Sequence, residues 1–253
     1  MTLQRTILAG AAIAILSLGA AGADDTPLTL ARVYKEGDVV RHRVEIAANM
    51  MGNDVTAIRT IKTSVKEIKK TNGDIIVLSA DQGGKVVVGG QEQEIPPQTD
   101  AVLTLDKTGK IVKYERGTAA EAGLMAPEIE HLMAILNEPR LSDKAVKPGD
   151  IWTVELANPA VKGKKITPKL TFVAAETTET VTLWKVKQLV TADTDDQGGK
   201  AVFEFTFWLR PADGVIAKAE GSIKDLPTSY GPVTVQMKMT LLKPEPDDKG
   251  KGA

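Results

Sequence analysis

Most of this chain alternates apolar and polar residues with a period of two, and that pattern constrains its fold more than any other feature. Successive side chains of a strand point to opposite faces, so such alternation marks half-buried strands. Val40, His42, Val44 and Ile46 fall on one face, with Arg41, Arg43 and Glu45 on the other. Residues 58–68 read as a long strand rich in Thr, Lys, Ile and Val, and Asn72-Gly73-Asp74 turns the chain into 75–80. Phe203, Phe205 and Phe207 share a face, while Glu204, Thr206 and Trp208 take the opposite one. Near the end, Val233, Val235, Met237, Met239 and Leu241 alternate with Thr234, Gln236, Lys238 and Thr240. The expected fold is therefore mainly β, built from antiparallel sheets.

One segment departs from the pattern. In 118–137 the apolar positions Met125, Ile129, Leu132, Met133 and Leu136 have helical spacing. Thr118 and Glu121 could form a capping box at its start. Pro127 is expected to split the helix, because the residue before a proline avoids the α region. Pro139 ends it.

The chain also repeats itself. Lys35-Glu36-Gly37-Asp38 recurs as Lys147-Pro148-Gly149-Asp150, an offset of 112. Val77-Leu78-Ser79-Ala80-Asp81 recurs at the same offset as Leu189-Val190-Thr191-Ala192-Asp193. Asp81-Gln82-Gly83-Gly84-Lys85 returns as Asp196-Gln197-Gly198-Gly199-Lys200, and the segment 105–112 resembles 209–216. The drift in offset places an extra stretch around 89–97 in the first half. Each half reads as about five antiparallel strands, with the 118–137 helix bridging them. One half alone would leave a sheet face bare, so the halves are expected to share a core, as an open barrel or a sandwich.

The first 23 residues read as a cleavable secretory signal. Arg5 supplies the positive start, 7–18 the uncharged apolar run, and Ala21-Gly22-Ala23 an A-x-A site, so cleavage is expected after Ala23. The apolar run is too short and too rich in Ala and Gly for a spanning helix. The protein is expected outside the cytoplasm, periplasmic or extracellular, with no membrane span after cleavage. Cys is absent, so neither disulfides nor a lipidated cysteine can contribute. With 32 Lys+Arg against 33 Asp+Glu, nothing points towards nucleic acid. The expected organisation is a signal peptide at 1–23, a first β repeat at 24–117, helix and linker at 118–146, a second β repeat at 147–243 and a disordered tail at 244–253.

Long antiparallel strands, a K-x-G-D turn leading into each half and a helix against the sheet resemble exported bacterial envelope proteins of unknown function. Some of these look like the open half-barrel of lipoprotein carriers. The resemblance covers most of 30–243 and carries no functional residue across. It implies an apolar concave face able to take acyl chains.

Motifs with chemistry are few. Asp193, Asp195 and Glu204, around Asp196-Gln197-Gly198, match oxygen-ligand positions of a calcium loop. Lys200 replaces its usual apolar position, and strands flank it, so a plain β-turn competes. Glu128-x-x-His131 has the spacing of a dimetal helix but lacks the second copy such a site needs. Lys107-Thr108-Gly109 lacks the S-x-x-K partner of penicillin-binding enzymes. No nucleophile elbow, metalloprotease helix or phosphate loop occurs. The chain is therefore expected to be non-enzymatic and to need no cofactor. Candidate pocket residues are Trp184, Phe203, Phe205 and Phe207, three of the four phenylalanines lying in one strand. His42, on an apolar strand face, joins them; a packed core is the competing role for each. The expected ligand is a lipid or apolar small molecule; the alternative is an interaction module pairing with an envelope protein through sheet edges.

Overall fold

The computed structural model describes residues 26–97, 100–117, 125–178 and 180–245. The expected signal segment, the capping residues Thr118 and Glu121, and most of the expected tail lie outside them.

Fourteen strands and one helix occur among the described residues, in chain order. They are β1 (Val39–Met50), β2 (Asn53–Ile68), β3 (Ile75–Val88), β4 (Gln91–Ile95), β5 (Ala101–Leu105), β6 (Ile111–Arg116), α1 (Pro127–Leu136), β7 (Ile151–Thr153), β8 (Leu156–Ala157), β9 (Lys165–Ile166), β10 (Lys169–Thr177), β11 (Thr182–Asp193), β12 (Lys200–Leu209), β13 (Ile216–Thr228) and β14 (Gly231–Leu241). Twelve of the strands form one antiparallel sheet in the order β6-β5-β3-β2-β1-β14-β13-β12-β11-β10-β7. Strand β4 folds back on β3 beside β5, and β8 and β9 pair separately. The sheet is open: β6 and β7 end it without pairing to each other.

The lateral order β6-β5-β3-β2-β1 is followed, beyond β14, by β13-β12-β11-β10-β7. The two K-x-G-D turns make the same bonds. Asp38 Oδ2 accepts from the Lys35 N–H at 2.9 Å, and Asp150 Oδ2 from the Lys147 N–H at 2.8 Å. Each glycine N–H reaches a neighbouring strand, Gly37 to Val65 O and Gly149 to Phe172 O. The 89–97 stretch is the β3–β4 hairpin.

Alternation sets which side chains go inward. In β12, Ala201, Phe203, Phe205, Phe207 and Leu209 are buried, and in β11 Trp184, Val186, Gln188, Val190 and Ala192 are. The outer face is polar. There Lys185 and Lys218 flank the Trp208 ring at 5.2 and 4.6 Å. Glu176 accepts from Lys185 Nζ and Trp208 Nε1, and these bonds hold its carboxyl below the usual range.

Helix α1 starts at Pro127, which takes the first-turn position where a missing N–H costs nothing. The proline therefore opens α1, and the expected helical piece before it falls largely on residues outside the described ones. Ala126 precedes it without a side-chain cap, and Glu128 and Glu130 sit in the first turn, facing the positive end of the helix dipole. Ile129, Leu132, Ile135 and Leu136 are buried, in one core with strands of both halves.

The helix bridges distant parts of the sheet. At β6, Arg116 pairs with Glu130 at 3.0 Å, and Tyr114 stacks on His131 at 5.0 Å. At β11, the buried Gln188 donates from Nε2 to Leu136 O at 2.8 Å, satisfying a carbonyl of the last helical turn. Strands β6 and β11 stand eight spacings apart, roughly 38 Å on a flat sheet. A ten-residue helix is about 15 Å long. The sheet must therefore curl around α1. Bulges supply the bending: register slips occur at Arg59/Ile61 and Val65/Glu67 between β2 and β3, and at Ile223/Leu226 between β13 and β14. At the first of these, any Cβ on Gly84 would collide with the Ile58 carbonyl.

Candidate functional site

Curling leaves space under the first half. A cavity of about 340 Å³ lies between the sheet and α1, within the usual size range of small-molecule sites. Its floor is built by inward positions of five strands: Val40, His42, Val44 and Ile46 of β1, Ile61 and Thr63 of β2, Ser79 of β3, Leu103 of β5 and Met237 of β14. Met133 and Ala134 of α1 close one side. From Val40 to Ile46 the strand rises about 20 Å, so the space is elongated along β1. Most of the lining is apolar.

Arg59 of β2 lines the cavity opposite Val44, and further polar groups, Arg32, Tyr34, Asp38 and Glu138, line it towards the end near Val40. There the segment 28–34 crosses the strand ends as a strap. Leu28 exchanges two backbone hydrogen bonds with Val146, and the Val33 N–H donates to Asp213 O. Arg32 lays its guanidinium 4.5 Å from the centre of the Tyr34 ring. Burial, reinforced by Glu138, raises the Tyr34 phenol well above its ordinary value, so it stays a hydrogen-bond donor. His42 Nε2 lies 2.8 Å from Ile216 O and donates to it, which fixes the proton on that nitrogen. Burial lowers its pKa, so the ring is neutral at pH 7. A smaller recess of about 250 Å³ opens beside the strap and shares Arg32, Tyr34, Glu138 and Ile216 with the cavity.

Of the residues singled out in the sequence, His42 lines the cavity. Trp184, Phe203, Phe205 and Phe207 do not: they are buried in the packed core beneath β10–β13, where the Phe205 and Phe207 rings lie 5.8 Å apart. The structure thus separates them from His42. The calcium-loop residues are engaged elsewhere. Asp195 Oδ1 accepts from the Gln197 and Gly199 N–H groups and caps the β11–β12 turn. Asp193 pairs with Lys164 at 3.1 Å, and Glu204 points out from β12. Among the described residues no three His, Asp or Glu side chains converge to hold a metal ion. Glu128 and His131 do not meet as ligands either, since His131 stacks on Tyr114. No helix among the described residues is long and apolar enough to cross a membrane.

The sequence reading missed Tyr34, Glu138 and Ala134 as lining residues. They lie on two segments about a hundred residues apart, the strap and the end of α1, and no local pattern links these.

The chain matches no protein-family model and no curated protein. Among solved structures it is similar to lipovitellin, in a study of lipid–protein interactions, at 14% identity and a TM-score of 0.45. That match covers 87% of this chain and 27% of the other, so the chain spans about a quarter of lipovitellin. It is also similar to the hypothetical lipoprotein YmcC from Escherichia coli, at 14% identity and a TM-score of 0.33, covering 86% of this chain and 93% of the other. A third neighbour is a β-barrel-like protein of a domain of unknown function from Brucella abortus, at 11% identity and a TM-score of 0.28, covering 81% and 96%. These likenesses are remote.

Proposed function

We propose that this chain is an exported, non-enzymatic protein that binds an apolar, lipid-like ligand between its curled sheet and α1. One observation carries the reading: an elongated, mostly apolar cavity of about 340 Å³ that the protein's own side chains leave unfilled. Vacant apolar space forfeits dispersion contacts, so a chain without a ligand has reason to fill it, as the second half does with phenylalanines. The residues around the cavity offer little for catalysis. His42 is neutral and tied to a backbone carbonyl, and Tyr34 is held protonated. Export rests on the sequence of 1–23, and N-terminal sequencing tests it: the mature protein should begin at Asp24.

Saturable binding of a fluorescent fatty acid tests the ligand. Ala134 borders the cavity from the helix. We expect Ala134→Trp to lower affinity at least tenfold, while the thermal midpoint moves by only a few degrees, because the ring enters vacant space. Unchanged affinity would remove the cavity from consideration. The alternative, an interaction module using the open edges β6 and β7, predicts instead that a partner protein co-purifies and that no lipid probe binds.

A further inference from the structure

Arg140 is the most unusual charged residue in the structure. Only 8% of its surface is exposed, and it lines the recess beside the cavity. Its Nη1 donates to Gly109 O in the β5–β6 turn. Its Nε and Nη2 are buried and have no hydrogen-bond partner. Among the described residues no carboxylate lies within ion-pairing distance of it. Buried charges are ordinarily paired, so this one lacks a counterpart.

The two unused donors belong together. Nε and Nη2 form one edge of the guanidinium, the edge that takes two oxygens of a carboxylate or phosphate in parallel. The surroundings favour an anion. Arg32, Lys107 and Arg140 line the recess against Glu138 and Asp143. Asp106 lies close enough to feel Arg140, but its Oδ1 already accepts from the Thr108 and Lys110 N–H groups and from Thr108 Oγ1. The recess is continuous in its lining with the apolar cavity through Arg32, Tyr34, Glu138 and Ile216.

We propose that the ligand is an anionic amphiphile, its hydrocarbon chain in the cavity and its oxyanion head on the Nε/Nη2 edge of Arg140, beside Arg32. This rests on the cavity being a lipid site and adds the class of lipid. A carboxylate and a phosphate monoester share the required geometry. Their common feature is two oxygens, spaced for a guanidinium, at the end of a chain.

Calorimetric titration of the purified protein with laurate, dodecyl phosphate, dodecanol and inorganic phosphate tests it. Laurate or dodecyl phosphate should bind at least tenfold tighter than dodecanol, and the tighter of the two identifies the head. Inorganic phosphate should bind far more weakly than either. In Arg140→Met the preference for the anions should fall about tenfold while dodecanol affinity holds; Arg140→Lys, which keeps the charge without the fork, should recover part of it. Should the methionine variant fail to fold, the wild-type comparison of laurate with dodecanol still decides. Equal binding of those two would overturn the headgroup assignment and leave the cavity reading standing. Phosphate binding as tightly as dodecyl phosphate would assign the recess to a small anion and overturn the amphiphile. No binding of any twelve-carbon probe would overturn both readings.

Discussion

Strands β1, β2, β3, β5 and β6 lie in the same lateral order as β7, β10, β11, β12 and β13, yet the concave faces of these two groups are filled differently. Under the second group, Leu170, Phe172, Val186, Phe203, Phe205, Phe207 and Leu209 are almost wholly buried, in one core with residues of the helix. Under the first, inward positions carry Thr63, Ser79 and Ala101, with aliphatics between them, and a cavity remains. Strand order therefore does not decide whether a cavity remains under this sheet. Side-chain volume at equivalent inward positions does, because a close-packed core leaves no room and an under-filled one must.

The sharpest way to break this contrast is to truncate one side chain in each half. Phe205→Ala should cost about 3–5 kcal/mol, the usual range for a fully packed phenylalanine. Ile61→Ala should cost about 2 kcal/mol, the low end of the usual range, since Ile61 already borders open space and little new cavity forms. Urea unfolding measures both, and equal costs would mean the halves are packed alike. Enlarging side chains gives the next effect. Gly221 of β13 lies opposite Phe205, and any Cβ there would strike the Phe205 ring and the Glu204 carbonyl. Gly221→Val should therefore lose about 1–3 kcal/mol to overpacking. Ser79→Val, pointing into the cavity, should be neutral or stabilising.

The smallest effect is on pH dependence. His42 has a folded pKa below its ordinary 6.5, chiefly through burial. The unfolded chain therefore takes up a proton first as the pH falls, and stability should decline below about pH 6.5 and stay level above it. Glu138 opposes this lowering, while Arg32 and Arg210 assist it. His42→Gln should flatten the decline in part, because His131, the second of two histidines, is lowered in the same way. A curve unchanged by the substitution would show that the cavity wall does not bury His42.

Much of the fold was legible in the residues. Alternation assigned faces correctly in β12 and β14, where Phe203, Phe205 and Met237 are buried and Glu204 and Lys238 are not. Identical local sequence was less informative. Asp81-Gln82-Gly83-Gly84-Lys85 lies inside β3, whereas Asp196-Gln197-Gly198-Gly199-Lys200 leads out of a turn into β12. In the first case β4 continues the pairing beyond the bulge. In the second, Asp195 caps a hairpin. The partner strand, not the pentapeptide, chose between them. For the site, a dense aromatic strand drew attention to β12, but aromatic bulk fills a concavity. The vacancy lies where the inward residues are small.

The sequence by itself determined that this chain forms antiparallel strands with assigned faces, one helix after the first set, and no disulfide support, because these follow from periodicities of two and 3.6 and from the absence of Cys. Only the tertiary structure decided that the sheet curls around α1, that the space under β1–β6 stays open, and that Arg140 is buried beside it with two donors unused. Those outcomes depend on the summed volume and charge of side chains converging from segments more than a hundred residues apart. No local pattern records such a sum.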